Sequence, residues 1–249
     1  MAGTGDVVVR TVLDTGGSAG GGAGRGGLVR RLVEMPAGAR FAGAAGAAGA
    51  AGAAGAGGEL WFVIAGVGRV TPGTGPSLVV ERDTAVWLPP DARYDLVADG
   101  PEALRLDSVC LPAGGATGAD GTVGADGTAA GGGVRVSRFE DCPVEVTGDR
   151  QFRVLFGPGN GCAAATLFVG EIPPGRAPEH SHTYDEVVLI LDGEGVLHAG
   201  PAGRPLAAGS CVHLRPGQPH CLENTGQAML RVLGVFHPGG SPAAKRLRG

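Results

Sequence analysis

The chain lacks the marks of several large protein classes. It has five cysteines, Cys110, Cys142, Cys162, Cys211 and Cys221, an odd number with no CxxC pair among them. A disulfide framework is therefore not expected, and a reducing cytoplasm is the compartment that suits the composition. No apolar run reaches membrane-spanning length. The opening MAGTGDVVVRTVLD has no basic segment followed by an apolar one, so no signal peptide is expected. A formal net charge of −4 argues against electrostatic binding to nucleic acid or anionic membrane. Nothing resembles a helix-turn-helix. The partner these absences leave is a small molecule.

What is present is apolar strand and glycine. Hydrophobic residues make up 43% of the 249, enough for a core in one large β-domain or two smaller ones. The 49 glycines cluster in tracts. Residues 16–27 read as a flexible loop, and 113–133 as a linker between halves. In 42–58, an alanine–glycine tract, the glycine density works against a helix and leaves little side chain to bury, so disorder is expected. Elsewhere, short β-branched and aromatic runs alternate with Gly and Pro: 6–14, 28–41, 59–70, 77–90, 92–112, 134–139, 144–159, 162–175 and 228–240. That rhythm predicts an all-β sandwich or barrel. Trp61 and Trp87 fall on such runs and read as core fillers. The closing KRLR at 245–248 reads as a solvated tail.

The halves repeat one another. ELWFVIAGVGRV aligns with EVVLILDGEGVL, pairing Glu59 with Glu186 and Gly66 with Gly193. TAVWLPPDARYDLVADG aligns with SCVHLRPGQPHCLENTG, pairing Tyr94 with His220, and EMPAG at 34–38 aligns with EIPPG at 171–175.

Only the second half carries a set of metal-ligand residue types. His180 and His182 are two apart, so on an extended strand they share a face. Glu186 opens the apolar run EVVLIL, and His220 follows at hairpin distance. Three imidazoles and a carboxylate suit one first-row divalent ion, iron or manganese first, with nickel, cobalt and zinc as alternatives. Four protein ligands leave one or two positions open on a five- or six-coordinate metal, as catalysis requires. His198, His213 and His237 fit no such pattern and read as surface or core residues, although strand phase could bring His213 to the pocket. Cys211 and Cys221 flank the second motif within reach of it. Tyr184, Arg176 and Arg215 lie close enough in sequence to meet an anionic substrate.

This spacing resembles the two signature motifs of the cupin superfamily. Gly175, His180, His182, Glu186 and Gly193 match the first; Gly209, Gly217, His220 and Asn224 match the second, with Arg215 where the family usually has proline. The resemblance implies a bicupin: two double-stranded β-helix, jelly-roll-like barrels in one chain. A degenerate N-terminal barrel would cover 1–112 and a metal-binding C-terminal barrel 134–249, with His180, His182, Glu186 and His220 as ligands to one metal per chain. The first half offers Tyr94 for the last histidine and alanine and glycine for the HxH. It is expected to be structural, with a homodimer-forming surface or a second ligand pocket as alternatives.

The expected activity is that of a metal-dependent enzyme on a small polar or aromatic molecule, with oxygenase-type, dioxygenase-like chemistry. No catalytic acid or base can be named from the sequence. Ureidoglycine aminohydrolases share the plan of a degenerate first half but order their ligands differently. Oxalate decarboxylases look similar but keep metal motifs in both halves. A non-catalytic sensor cupin is the third reading.

Overall fold

The computed structural model describes residues 6–16, 27–45, 57–112, 133–244 and the backbone of 246–247. All but the end residues of the tracts expected to be loop, linker and alanine–glycine tract lie outside these residues. The described residues form two compact units, 6–112 with 133–141, and 142–247.

The first unit holds β1 (Val8–Asp14), β2 (Val29–Met35), β3 (Arg40–Ala44), β4 (Glu59–Ala65), β5 (Val67–Pro72), β6 (Leu78–Glu81), β7 (Thr84–Leu88), β8 (Arg93–Ala98), β9 (Leu104–Cys110) and β10 (Arg135–Arg138). They form two antiparallel sheets, in the orders β1-β2-β9-β4-β7-β10 and β3-β8-β5-β6. The second unit holds β11 (Glu145–Thr147), β12 (Arg150–Phe156), β13 (Thr166–Ile172), β14 (Gly175–Arg176), β15 (His180–Ser181), β16 (Asp185–Asp192), β17 (Glu194–His198), β18 (Gly203–Ala207), β19 (Cys211–Leu214), β20 (Cys221–Asn224), β21 (Leu230–His237) and β22 (Arg246–Leu247). Its larger sheets run β11-β12-β13-β21-β16-β19 and β14-β20-β17-β18. Each unit is thus built of antiparallel β-sheets, the all-β architecture that the strand rhythm predicts.

Burial explains the strand types. In β8, Tyr94, Leu96 and Ala98 are buried between exposed Arg93 and Asp95, the alternation of a strand with one wet face. In β4 and β16 the buried run is nearly continuous, as in strands covered on both sides. The repeat extends to irregularities. A bulge interrupts β4 between Val63 and Ala65, and β16 between Ile190 and Asp192. Each bulged strand ends at a glycine with positive φ, Gly66 at 81° and Gly193 at 88°, where a side chain would strain the turn.

Three sequence expectations need correction. The tract expected to be disordered from 42 is ordered at its start, because Ala42–Ala44 continue β3 and pair with β8. It is ordered at its end as well, where Gly57 donates its N–H to the Leu111 carbonyl. Residues 134–139 do not open the second half. Their strand β10 pairs with β7, and Val134 and Val136 pack against the first core. Finally, 245–248 is not simply a solvated tail, since Arg246–Leu247 pairs with His180–Ser181.

The first core also contains an ion pair. Arg30 Nε and Nη2 donate to the Asp107 carboxylate at 2.8 and 3.0 Å, both side chains fully buried. The repeat places Leu167 and Leu233 at these positions in the second barrel, so the architecture does not require charge there. Such pairs return little net stability but are costly to break. Arg30→Ala should therefore cost about 3–5 kcal/mol in urea unfolding. Arg30→Leu with Asp107→Leu, which copies the second barrel, should recover most of that loss.

Candidate metal centre

Two separate stretches of the second barrel meet at one point. His180 and His220 are bridged through their backbones in both directions, N–H to carbonyl at 3.0 and 2.8 Å. The Gly217 N–H, donated to the His182 carbonyl at 2.7 Å, pins the turn before His220 to the first motif. Glu186 enters from β16. Ligand atoms of His180, His182 and His220 all lie within 4.8 Å of one another. Glu186 Oε2 stands 3.5 Å from both His182 Nε2 and His220 Nε2.

Proton placement explains why this cluster suits a cation. Each imidazole turns its Nδ1 toward a backbone carbonyl: Pro178 for His180 at 3.1 Å, Ala244 for His182 at 3.2 Å and Gln218 for His220 at 2.9 Å. A carbonyl can only accept, so each neutral ring carries its proton on Nδ1 and offers the Nε2 lone pair. Glu186 Oε2 is buried and receives no hydrogen bond among the described residues. Buried acceptors facing one another without a donor are unfavourable unless a cation sits between them. Burial alone would push the His220 imidazole down; the Glu186 carboxylate outweighs it and holds the ring above its ordinary value. The donor set of three nitrogens and one carboxylate oxygen fits a divalent transition metal.

Comparison with known proteins agrees with this geometry. Residues 168–236 match the cupin domain family. The matched segment holds all four candidate ligands, His180, His182, Glu186 and His220. An oxalate-binding protein of Thermotoga maritima is 37% identical over 68 residues, which span 26% of this chain and 56% of that relative. The fold resembles a putative glyoxylate induced protein from Pseudomonas aeruginosa, with a TM-score of 0.69 at 15% identity over 96% of this chain and 83% of the other. It also resembles Bacillus subtilis oxalate decarboxylase, described for its Mn(II) centres, with a TM-score of 0.64 at 14% identity over 88% of this chain and 71% of the other. At these identities the structural likeness establishes the cupin fold alone.

Around the cupin cluster, other side chains act as supports. Tyr184 is buried and stacks on His182 at 5.1 Å and 13°. Its hydroxyl donates to the Ser241 carbonyl at 2.8 Å. Burial, then the Glu186 charge, push the phenol up, so it remains a donor. Phe236 closes on both His182 and Tyr184. Residues 241–244 thus lie against the ligands from outside, which local spacing in the sequence does not reveal.

The expectation that Tyr184, Arg176 and Arg215 meet substrate is not what the geometry gives. None of the three lines the cavity above the cluster. Tyr184 backs a ligand. Arg176 is exposed on β14 and directs Nε to Cys221 Sγ at 3.3 Å. Arg215 is exposed in the turn before His220. His198 and His213 pair with Glu223 and Asp185 at 2.7 and 2.6 Å, and neither they, His237, Cys211 nor Cys221 line the cavity. The arginine that does line it, Arg150, stands well upstream on β12.

The first cupin barrel shows the same position without the chemistry. The pair Gly43↔Tyr94 stands where the second barrel has His180 and His220. A β-carbon on Gly43 would come within 2.6 Å of Tyr94 Oη, so the glycine makes room for the phenol. Tyr94 packs edge-on against Trp61 at 4.7 Å. Glu59 remains, but its Oε1 accepts from Trp61 Nε1 at 2.8 Å and from the Ser108 hydroxyl. That carboxylate is satisfied by neutral donors.

The Ala244 contact generates a prediction. Truncation after Gly240 removes the acceptor that orients His182. Loss of such an outer partner typically costs a 10–100-fold in metal affinity. Competitive metal titration should show a fall of about that size, with the β-sheet circular dichroism retained.

Proposed function

We propose that the second barrel is a metal-dependent active site for a small chelating organic molecule, with oxygenase-type chemistry as the reaction class. One observation carries the reading: three imidazoles and the Glu186 carboxylate converge on the wall of a cavity. His180, His182, Glu186 and His220 would hold the ion, with manganese or iron favoured by the mixed nitrogen and oxygen set. When bound, the ion would supply a Lewis acid with positions left open for substrate and dioxygen.

The chain's own residues set the conditions around it. The cavity has a volume of about 80 Å³, far below the ~300–1,000 Å³ of a drug-sized pocket. Phe152, Phe168, Leu214 and Phe236 wall it and limit water around the cluster. The carbonyls behind each Nδ1 keep the Nε2 atoms aimed inward. The Thermotoga maritima oxalate-binding protein supports a small chelating ligand, by likeness over the matched segment alone. The five cysteines are free thiols, which suits the cytoplasmic setting we propose with this function.

The test is oxygen uptake. Protein loaded with Fe(II) or Mn(II) should consume dioxygen with one member of a panel of small 2-oxo acids and phenols. His182→Ala should abolish that uptake together with metal content by elemental analysis. Metal-loaded protein that binds panel members, by a shift in melting temperature, yet consumes no oxygen would replace the oxygenase reading with a binding cupin.

A further inference from the structure

The cavity of the second barrel contains one charged group that metal binding leaves unused. Arg150 opens β12, immediately after the tight turn in which Gly148 takes a φ of 65°. Strand alternation puts its side chain on the same face as Phe152, whose ring packs edge-on against Phe168. Arg150 and Phe152 line the cavity together with the three histidines and Glu186. No other lysine or arginine does so among the described residues.

One edge of the guanidinium is held, with Nε donating to Asp149 Oδ1 at 3.0 Å. The other edge is not. Nη2 is buried and makes no hydrogen bond with the described residues. An unpaired buried donor costs about 1–3 kcal/mol, and more when charged. Native structures rarely keep one without a use.

We infer that Arg150 is the anchor for an anionic group on the ligand, and that the second barrel takes a small carboxylate spanning from the metal ligands to this guanidinium. The inference rests on the metal reading above. A planar fork with a free N–H edge matches a carboxylate in geometry as well as charge. The electrostatics agree: a divalent ion and a guanidinium against the single carboxylate of Glu186 leave the cavity positive. Asp149 does not line the cavity and offsets the charge only from outside. Apart from the candidate metal ligands and Arg150 itself, only Thr147 and Gln151 line the cavity with polar side chains, and neither bonds Nη2, so a neutral ligand of the same shape offers Nη2 at most an uncharged acceptor and binds more weakly.

The experiment titrates Mn(II)-loaded protein with malonate, oxalate and the neutral oxamide by calorimetry. Wild type should bind a dicarboxylate more tightly than oxamide. Arg150→Gln should weaken the dicarboxylate at least about tenfold, the low end expected for a lost bond to a charged group. Oxamide affinity should fall far less than dicarboxylate affinity, and metal content should be retained. Arg150→Lys keeps the charge but loses the fork, and should fall between. If Arg150→Gln does not fold, Arg150→Lys carries the test through a severalfold loss for the dicarboxylate alone. Dicarboxylate binding within twofold of wild type in the folded variant, or no preference over oxamide in wild type, overturns the proposal. Elemental analysis reads the underlying site separately: wild type that takes up no metal defeats the metal reading itself, and this inference with it.

Discussion

Four acceptor atoms aimed at one another in an apolar barrel form an arrangement that does not persist by itself. Each Nε2 brings a lone pair, and Glu186 Oε2 brings a charge that receives no hydrogen bond of ordinary geometry among the described residues. Bare, the cluster pays desolvation and mutual repulsion. A proton shared with His220 relieves part of that, which is the sense in which Glu186 holds the imidazole up. A divalent ion relieves all of it. The carbonyls of Pro178, Gln218 and Ala244, the ring of Tyr184 and the closing segment 241–244 all keep the acceptors pointed inward. They preserve a local cost that only a cation removes.

The duplicated barrel provides an internal comparison. Glu59 and Glu186 occupy the same place on the same strand, with matching bulges further along. Their environments differ by donors. Trp61 and Ser108 stand where the second barrel has Val188 and Gly234, and both donate to Glu59. Val188 and Gly234 have no side-chain donor to give. Conversely, Gly43 and Tyr94 replace two imidazoles with a phenol lying over a glycine. Burial and the Glu59 charge push Cys110 up to about 12, so this neighbour too is a neutral thiol. A few substitutions thus convert a cation-demanding site into a self-satisfied one while the strands stay in register.

How much of this could be read from the sequence follows from range. The strands, their glycine turns and the repeat are local or self-similar, and alternation exposes them. The HxH pair is legible because two residues on one strand face share a direction by geometry alone. Proximity in sequence misleads for Arg176 and Arg215, which flank the motifs but are exposed and do not line the cavity. Arg150 was invisible for the opposite reason: only the β12–β13 pairing carries it to the cavity. The short strand at 134–139 has no pattern that selects one barrel edge over another. What placed it with the first was the free edge of β7, a property of the folded sheet.

The two barrels therefore solve one problem differently. The first buries charge with partners drawn from its own chain: a bidentate Arg30–Asp107 pair and a carboxylate held by an indole and a hydroxyl. Those partners are always present, so its core is complete once folded. The second keeps leucine where the first has that ion pair, and concentrates its buried charge at a point that a metal ion from solution would complete. Free energy of metal binding to the folded form alone is free energy of folding. Completing the core from outside thus ties the stability of the second barrel to occupancy. The proposed ion would keep coordination positions open, beside a guanidinium edge that no described side chain satisfies. The features that make this half incomplete as a protein core are the features that suit it to hold a ligand.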